Sequence, residues 1–242
     1  MWVCQGERAM STRAEIKDGA RFDVLRSGIV YTKVLGWIDM GHARGSDISE
    51  LKSQFIAGEN SGKPYYTVMY RQDMRAVILR SQFRVGKFSR WEIKRGRSSE
   101  DINRIMLAMM MNTASRFEGM QSLRAFSWYT DSGFSCEDLV SDLFGFYRAI
   151  MPGRYGYRLE PVSYEAAVRR WDYYGTVGSH KNRGFRPMLF PDPEDPCVRH
   201  RPYLSNLPHF MTWLRPWDDF TSGVVSVITD SGTSFGYMGT QR

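Results

Sequence analysis

The sequence predicts an α+β fold, mainly a helical core around one buried central helix, with a small antiparallel sheet. Three observations predict it. The stretch 101–121, DINRIMLAMMMNTASRFEGMQ, is apolar on nearly every face. A helix with no face that gains from water belongs inside a globule. A second run follows, with Leu139, Val140, Leu143, Phe144, Phe146, Tyr147 and Ile150 at helical spacing. The first third, by contrast, alternates β-branched and aromatic residues with turn signals.

At 242 residues the chain is expected to form a single domain over 1–242. A polar lead-in covers 1–24, and 25–97 is mainly β with one short helix. A helical core covers 98–176, and 177–242 is an irregular region rich in arginine and aromatics that ends in a strand.

Taken in order, GIVYTKVLGWI (28–38) reads as one strand with a bend at Gly36. Asp47 is placed to cap a short helix with Glu50 three residues on. Ile48, Leu51 and Phe55 are its inner face and Gly58 its end. NSGKP is a turn. Tyr65 to Arg71 and Arg75 to Phe83 read as a hairpin around Gln72-Asp73-Met74, and Phe88 to Ile93 as a further strand.

In the central helix Ile102, Ile105, Met106, Met109, Thr113, Phe117 and Met120 carry the period. Asn112, Arg116 and Glu118 interrupt it too often for a membrane span. Ser135 is the expected N-cap of the second helix, with Asp138 completing a box, and Pro152-Gly153 stops it. Ser141 and Gly145 form a strip of small residues that lets another backbone approach. Ser163 caps a third helix lined by Ala167, Val168, Trp171 and Tyr174 and ended by Gly175. GVVSVIT (223–229) is the final strand.

Net charge is +7 and aromatics reach 14%, which favours anionic partners without choosing among nucleic acid, lipid surfaces and acidic cell-wall polymers. The absence of a dense basic tract argues against a nucleic-acid tail. Cys4, Cys136 and Cys197 have neither metal nor disulfide-framework spacing. MWVCQGERAM lacks the pattern of a general secretion signal, so synthesis in the cytoplasm is expected. No phosphate-binding glycine loop, Gly-x-Ser-x-Gly elbow or Cys-x-x-Cys pair is present. No cofactor and no metal are expected, since no histidine pair among His180, His200 and His209 has the spacing of a helical zinc site.

Two constellations carry chemistry. Glu118 extends an apolar stripe of the central helix, where desolvation favours a protonated general acid. The plain alternative is an ion pair with Arg116 or Arg124. The loop Gly41-His42-Ala43-Arg44-Gly45-Ser46-Asp47 presents an imidazole, a guanidinium and a carboxylate between strand and helix. A simple turn capped by Asp47 explains the same residues.

Gly41-His42-x-Arg44 with Asp47, then Phe117-Glu118-x-x-Gln121, then Ser132-x-Phe134-Ser135-x-Glu137-Asp138-Leu139-x-Ser141-x-Leu143-x-Gly145, resembles a bacterial family of envelope-associated proteins of unknown function. The resemblance covers about the middle half of the chain, and Asp142 stands where the family block has Asn. It implies that His42, Arg44, Asp47, Glu118, Glu137 and Asp138 form one site. It names no reaction.

The expected function is a peptidoglycan-directed hydrolase, an antibacterial effector of a secretion system that acts in the target-cell periplasm. Glu118, His42, Asp47 and Glu137 are its expected catalytic residues; Arg44, Gln121, Asp138, Trp128 and Tyr129 are expected to hold substrate. The cell-wall polymer is the expected partner, with an immunity protein as another and no integral membrane segment. Two alternatives stand beside it: a His-centred, metal-assisted amidase or peptidase, and a non-catalytic module binding glycan or an anionic surface.

Overall fold

The computed structural model describes residues 11–78, 81–121 and 134–240. In chain order the strands are β1 (Ile29–Thr32), β2 (Gly36–Asp39), β3 (Tyr65–Ile78), β4 (Ser81–Lys94), β5 (Met188–Leu189), β6 (Tyr203–Leu204) and β7 (Val225–Thr240). The helices are α1 (Ser46–Glu59), α2 (Ser99–Gln121), α3 (Asp138–Ile150), α4 (Gly156–Leu159) and α5 (Tyr164–Tyr174). The fold is α+β, as expected. The described residues divide into two compact units, one within 47–117 and 214–240, the other within 11–46, 118–121 and 134–213.

The first unit is a three-stranded antiparallel sheet in the order β3-β4-β7. Here 65–94 differs from the expected hairpin plus separate strand. Gln72-Asp73-Met74 is not a turn but lies within β3, where Gln72 pairs with Lys87 and Asp73 with Gly86. Two features keep this polar stretch extended: Arg71 is ion-paired to Asp73, and Ser234 of β7 donates to the same carboxylate. The two strands pair as far as Ile78 with Ser81, and 79–80 lie outside the described residues.

Helix α1 buries Ile48, Leu51 and Phe55, and Gln54 clasps both main-chain atoms of Met69 on β3, at 2.8 and 2.9 Å. Helix α2 has the apolar character expected of it: Ile105, Met106, Met109 and Met110 are fully buried. Its Thr113 shares a buried 2.9 Å hydrogen bond with Ser89 of β4.

The second unit carries a sheet in the order β1-β2-β5-β6, with β2 and β5 parallel and the other pairs antiparallel. The single bent strand expected over 28–38 is a hairpin instead: Ile29 pairs with Asp39 and Thr32 with Gly36. Thr32 accounts for the reversal. Its hydroxyl accepts from the Leu35 amide at 3.0 Å and bonds the Gly36 carbonyl at 3.2 Å, while Gly36 takes φ +73°. Helix α5 has its expected cap, with Ser163 accepting from the Ala166 amide and Gly175 ending the helix at φ +86°. Its Trp171 meets Trp37 of β2 edge to face, ring centres 5.8 Å apart.

The region 178–219 is irregular as expected, with only short elements. Cys136 and Cys197 are free thiols. Among the described residues, no helix is long and apolar enough to cross a membrane.

Candidate functional site

Helix α3 organises the site. Four of its residues hold the segment that runs from the end of β2 through the turn 42–44. The Ser141 hydroxyl accepts from the Asp39 amide at 2.9 Å, and the Asp142 carboxylate bonds His42 Nδ1 at 2.9 Å. Arg148 donates to the Ala43 carbonyl at 2.9 Å. Between them Gly145 faces the turn so closely that a Cβ there would lie 2.7 Å from the His42 carbonyl oxygen. Gly45, at φ +65°, approaches Gly145 from the other side. Ser141 and Gly145 therefore do form the strip predicted to admit a neighbouring backbone.

Within the turn, the Asp39 carboxylate accepts from the Gly41 amide at 2.6 Å and the His42 amide at 3.3 Å. That fixes the backbone that carries the imidazole. His42 keeps 36% of its side chain exposed, whereas Asp142 keeps only 5%. Among the described residues nothing bonds His42 Nε2, while Nδ1 faces a carboxylate. This is how a carboxylate fixes a tautomer and steadies the imidazolium.

Behind the histidine lies Glu118, 1% exposed. It accepts from the Phe134 amide at 2.8 Å, and its charge acts on the Asp138 carboxyl. Phe134 sits at φ +58°, a conformation that costs a side-chain-bearing residue free energy. The same residue accepts from the Asn182 amide and stacks beneath Arg183, which holds it there. The ion pair with Arg116 is not formed, because Arg116 is bound to Asp230 instead; Arg124 lies outside the described residues.

Glu137 completes the group. One of its oxygens accepts from Ser135 at 2.6 Å and the other from Ser11 at 3.2 Å. The expected N-cap at Ser135 is therefore corrected: α3 starts at Asp138, and the Ser135 hydroxyl points to the Glu137 carboxylate rather than to the helix amides. A side-chain acceptor two residues away competes successfully with the helix end.

Five carboxyl groups around one imidazole cannot all ionise together. Burial pushes the Glu118 carboxyl up to about 7, with the Asp142 charge adding to it and the Phe134 amide and His42 opposing. Burial, then Glu118 and Glu137, hold Asp138 well above the usual carboxylate range. Glu137 is raised by burial against the pull of Ser135. For His42 the packing around the ring opposes the charged form. Asp142, Asp39 and Asp138 outweigh it, so the imidazole titrates well above its usual range. At neutral pH the site holds an imidazolium beside carboxyls whose ionisation is opposed by burial and by one another.

The structure thus brings together His42, Glu118, Glu137 and Asp138 and leaves other expected members elsewhere. Asp47 lies in the first unit, where it accepts from Tyr70. Arg44 is exposed on the turn, and Gln121 is half-buried at the end of α2. Trp128 and Tyr129 lie outside the described residues. Sequence reasoning missed one member, Asp142. The signal for Asp142 was present, since it is the one departure from the block that carries the family resemblance. Among the described residues, no group of three or more His, Cys, Asp or Glu side chains is placed to hold a metal ion. Comparison with family models, curated proteins and solved structures gave no match.

Proposed function

We propose that this protein is a peptidoglycan-directed hydrolase working by acid–base catalysis. The observation that carries the proposal is a partly exposed His42, its Nδ1 bonded to Asp142, beside the buried carboxyls of Glu118 and Asp138. In this reading protonated His42 donates from Nε2 to the leaving group. Glu118, whose carboxyl titrates at about 7, takes a proton from the attacking water, while Asp138, held higher, keeps its own. Two buried acids that repel each other as anions do not ionise together, which poises one of them near neutral pH. A net charge of +7 suits an acidic wall polymer. Delivery by a secretion system into a target-cell periplasm, with an immunity protein as partner, belongs to the same proposal.

The test is incubation of purified protein with peptidoglycan sacculi and identification of released products by mass. New reducing ends mean glycan cleavage, and new amino termini mean amide cleavage. Retention on the sacculi with no release overturns the hydrolase and leaves a binding module.

A further inference from the structure

We infer that the cleft beside β5 and β6 in the second unit is a binding pocket for a small organic anion carrying a flat ring. The cleft has a volume of about 660 Å³, within the range of small-molecule sites. It shares no residue with the acid–histidine cluster, so the inference stands apart from the function proposed above.

Four cations line the cleft, Lys33, Arg170, Arg199 and Arg201, against one carboxylate, Asp192. Arg170 is the fixed element. Its side chain is 7% exposed and its guanidinium lies over the Tyr31 ring, 4.7 Å from the centre. Three of its N–H groups are used, toward the Phe190 carbonyl at 2.9 Å, the Ala166 carbonyl at 2.8 Å and Asp192 at 3.2 Å. A guanidinium has five such donors, so two remain. Arg199 and Arg201 are exposed, and among the described residues no acid pairs with either side chain. Unpaired arginines converging on a concavity suit a phosphonate, phosphate or carboxylate.

The walls are aromatic and stiff. Tyr31 Oη donates to the Phe190 carbonyl and accepts from the Phe190 amide, both at 2.7 Å, which clamps the start of the loop leaving β5. Pro191 and Pro202 restrict that loop near both ends. Tyr203, 52% exposed, offers a free ring face across the cleft. Cations for the anionic group and an open aromatic face for the rest define the ligand class.

Phenylphosphonate is a suitable probe, titrated calorimetrically into the full chain, with inorganic phosphate and benzyl alcohol as the two halves of the ligand. Phenylphosphonate is expected to bind saturably and more tightly than either half. Arg199→Ala/Arg201→Ala, two exposed positions, should weaken it about tenfold or more, since each bond to a charged group is worth roughly that factor. Hydrolysis of sacculi by this variant should equal the parent's. No saturable binding, or equal binding by parent and variant, overturns the site. Equal affinity for inorganic phosphate leaves an anion site and overturns the ring requirement. The binding readout needs no hydrolytic activity, so its failure and that of the hydrolase are separable.

Discussion

Two glutamates stand near the ends of two helices, Glu59 on α1 and Glu118 on α2, and their environments oppose each other. Glu59 accepts from the Gly96 amide at 2.7 Å, the Arg97 amide at 3.1 Å and the Tyr66 hydroxyl at 2.9 Å. Burial pushes its carboxyl up, yet these donors outweigh burial and hold it below the usual range. Glu118 has one amide donor and a neighbourhood of other carboxyls, so the same push succeeds. The comparison teaches that burial alone does not make an acid; the count of donors against charges decides. Glu59 is a strut joining a helix to a strand end, and Glu118 is the acid that the proposed mechanism uses.

The largest effect that would sharpen this contrast is on activity. His42→Ala, Glu118→Gln and Asp138→Asn should each lower turnover of sacculi about 10²- to 10⁴-fold, the usual weight of a positioned acid or base. Melting temperature should stay near the parent's, because none removes core volume. Glu59→Gln should leave turnover unchanged. Equal activity in the Glu59 and Glu118 variants breaks the distinction.

Next comes pH. The Glu118 carboxyl is raised from 4.5 to about 7, so between those values the folded protein binds more protons than the unfolded chain. Its contribution is therefore complete below pH 4.5 and lost as pH rises toward 7. His42, also raised, has the same sign: its contribution is present below 6.5 and is lost as pH climbs through the higher folded value. Glu59 has the opposite sign, contributing above 4.5 and losing it as pH falls. Denaturant unfolding from pH 5 to 8 should show stability falling by on the order of 2–3 kcal/mol from Glu118. Glu118→Gln should flatten that slope. An unchanged slope removes Glu118 as the titrating group.

Gly145→Ala tests the scaffold. A methyl 2.7 Å from the His42 carbonyl oxygen has to push the turn off α3. A cost of about 1–3 kcal/mol is expected, as for other overpacked sites, with activity reduced because His42 moves from Asp142. Glu59→Ala should cost about 1–2 kcal/mol through its lost hydrogen bonds and leave activity intact. Chemical denaturation of the two variants, read beside their turnover, separates strut from site.

Much of this architecture was legible in the chain. Ser163 and Gly175 marked both ends of α5, and the apolar run in α2 announced its burial, because caps and periodicity are local signals. The hairpins were less legible. Gln72-Asp73-Met74 looks like a turn until Ser234, far along the chain, is seen to bond Asp73. The site was half legible for the same reason. Glu118 stood out as a lone carboxylate on an apolar face, and His42 as an imidazole between glycines. Asp138 was named for the site only through the family resemblance, because the first turn of its helix already explains an acidic residue by the dipole, and Asp142, a turn later, was not named. Asp47, equally placed in sequence, turned to Tyr70 instead. Nothing local distinguishes these outcomes.

The smallest expected effect concerns Cys136. The thiol is buried and donates to Glu137 Oε2 at 3.7 Å. Burial raises its pKa well above the usual thiol range, and the charges of Glu137 and Asp138 raise it further. A nucleophilic cysteine needs the reverse, a positive surrounding that favours the thiolate. Cys136→Ser replaces a weak donor by a stronger one to the same carboxylate at almost the same volume. Stability should change by less than about 1 kcal/mol, and turnover should stay within a few-fold of the parent. A well-folded Cys136→Ser protein without activity would move the chemistry from the carboxyl pair to the thiol. It would also end the contrast between Glu59 and Glu118 as a guide to function.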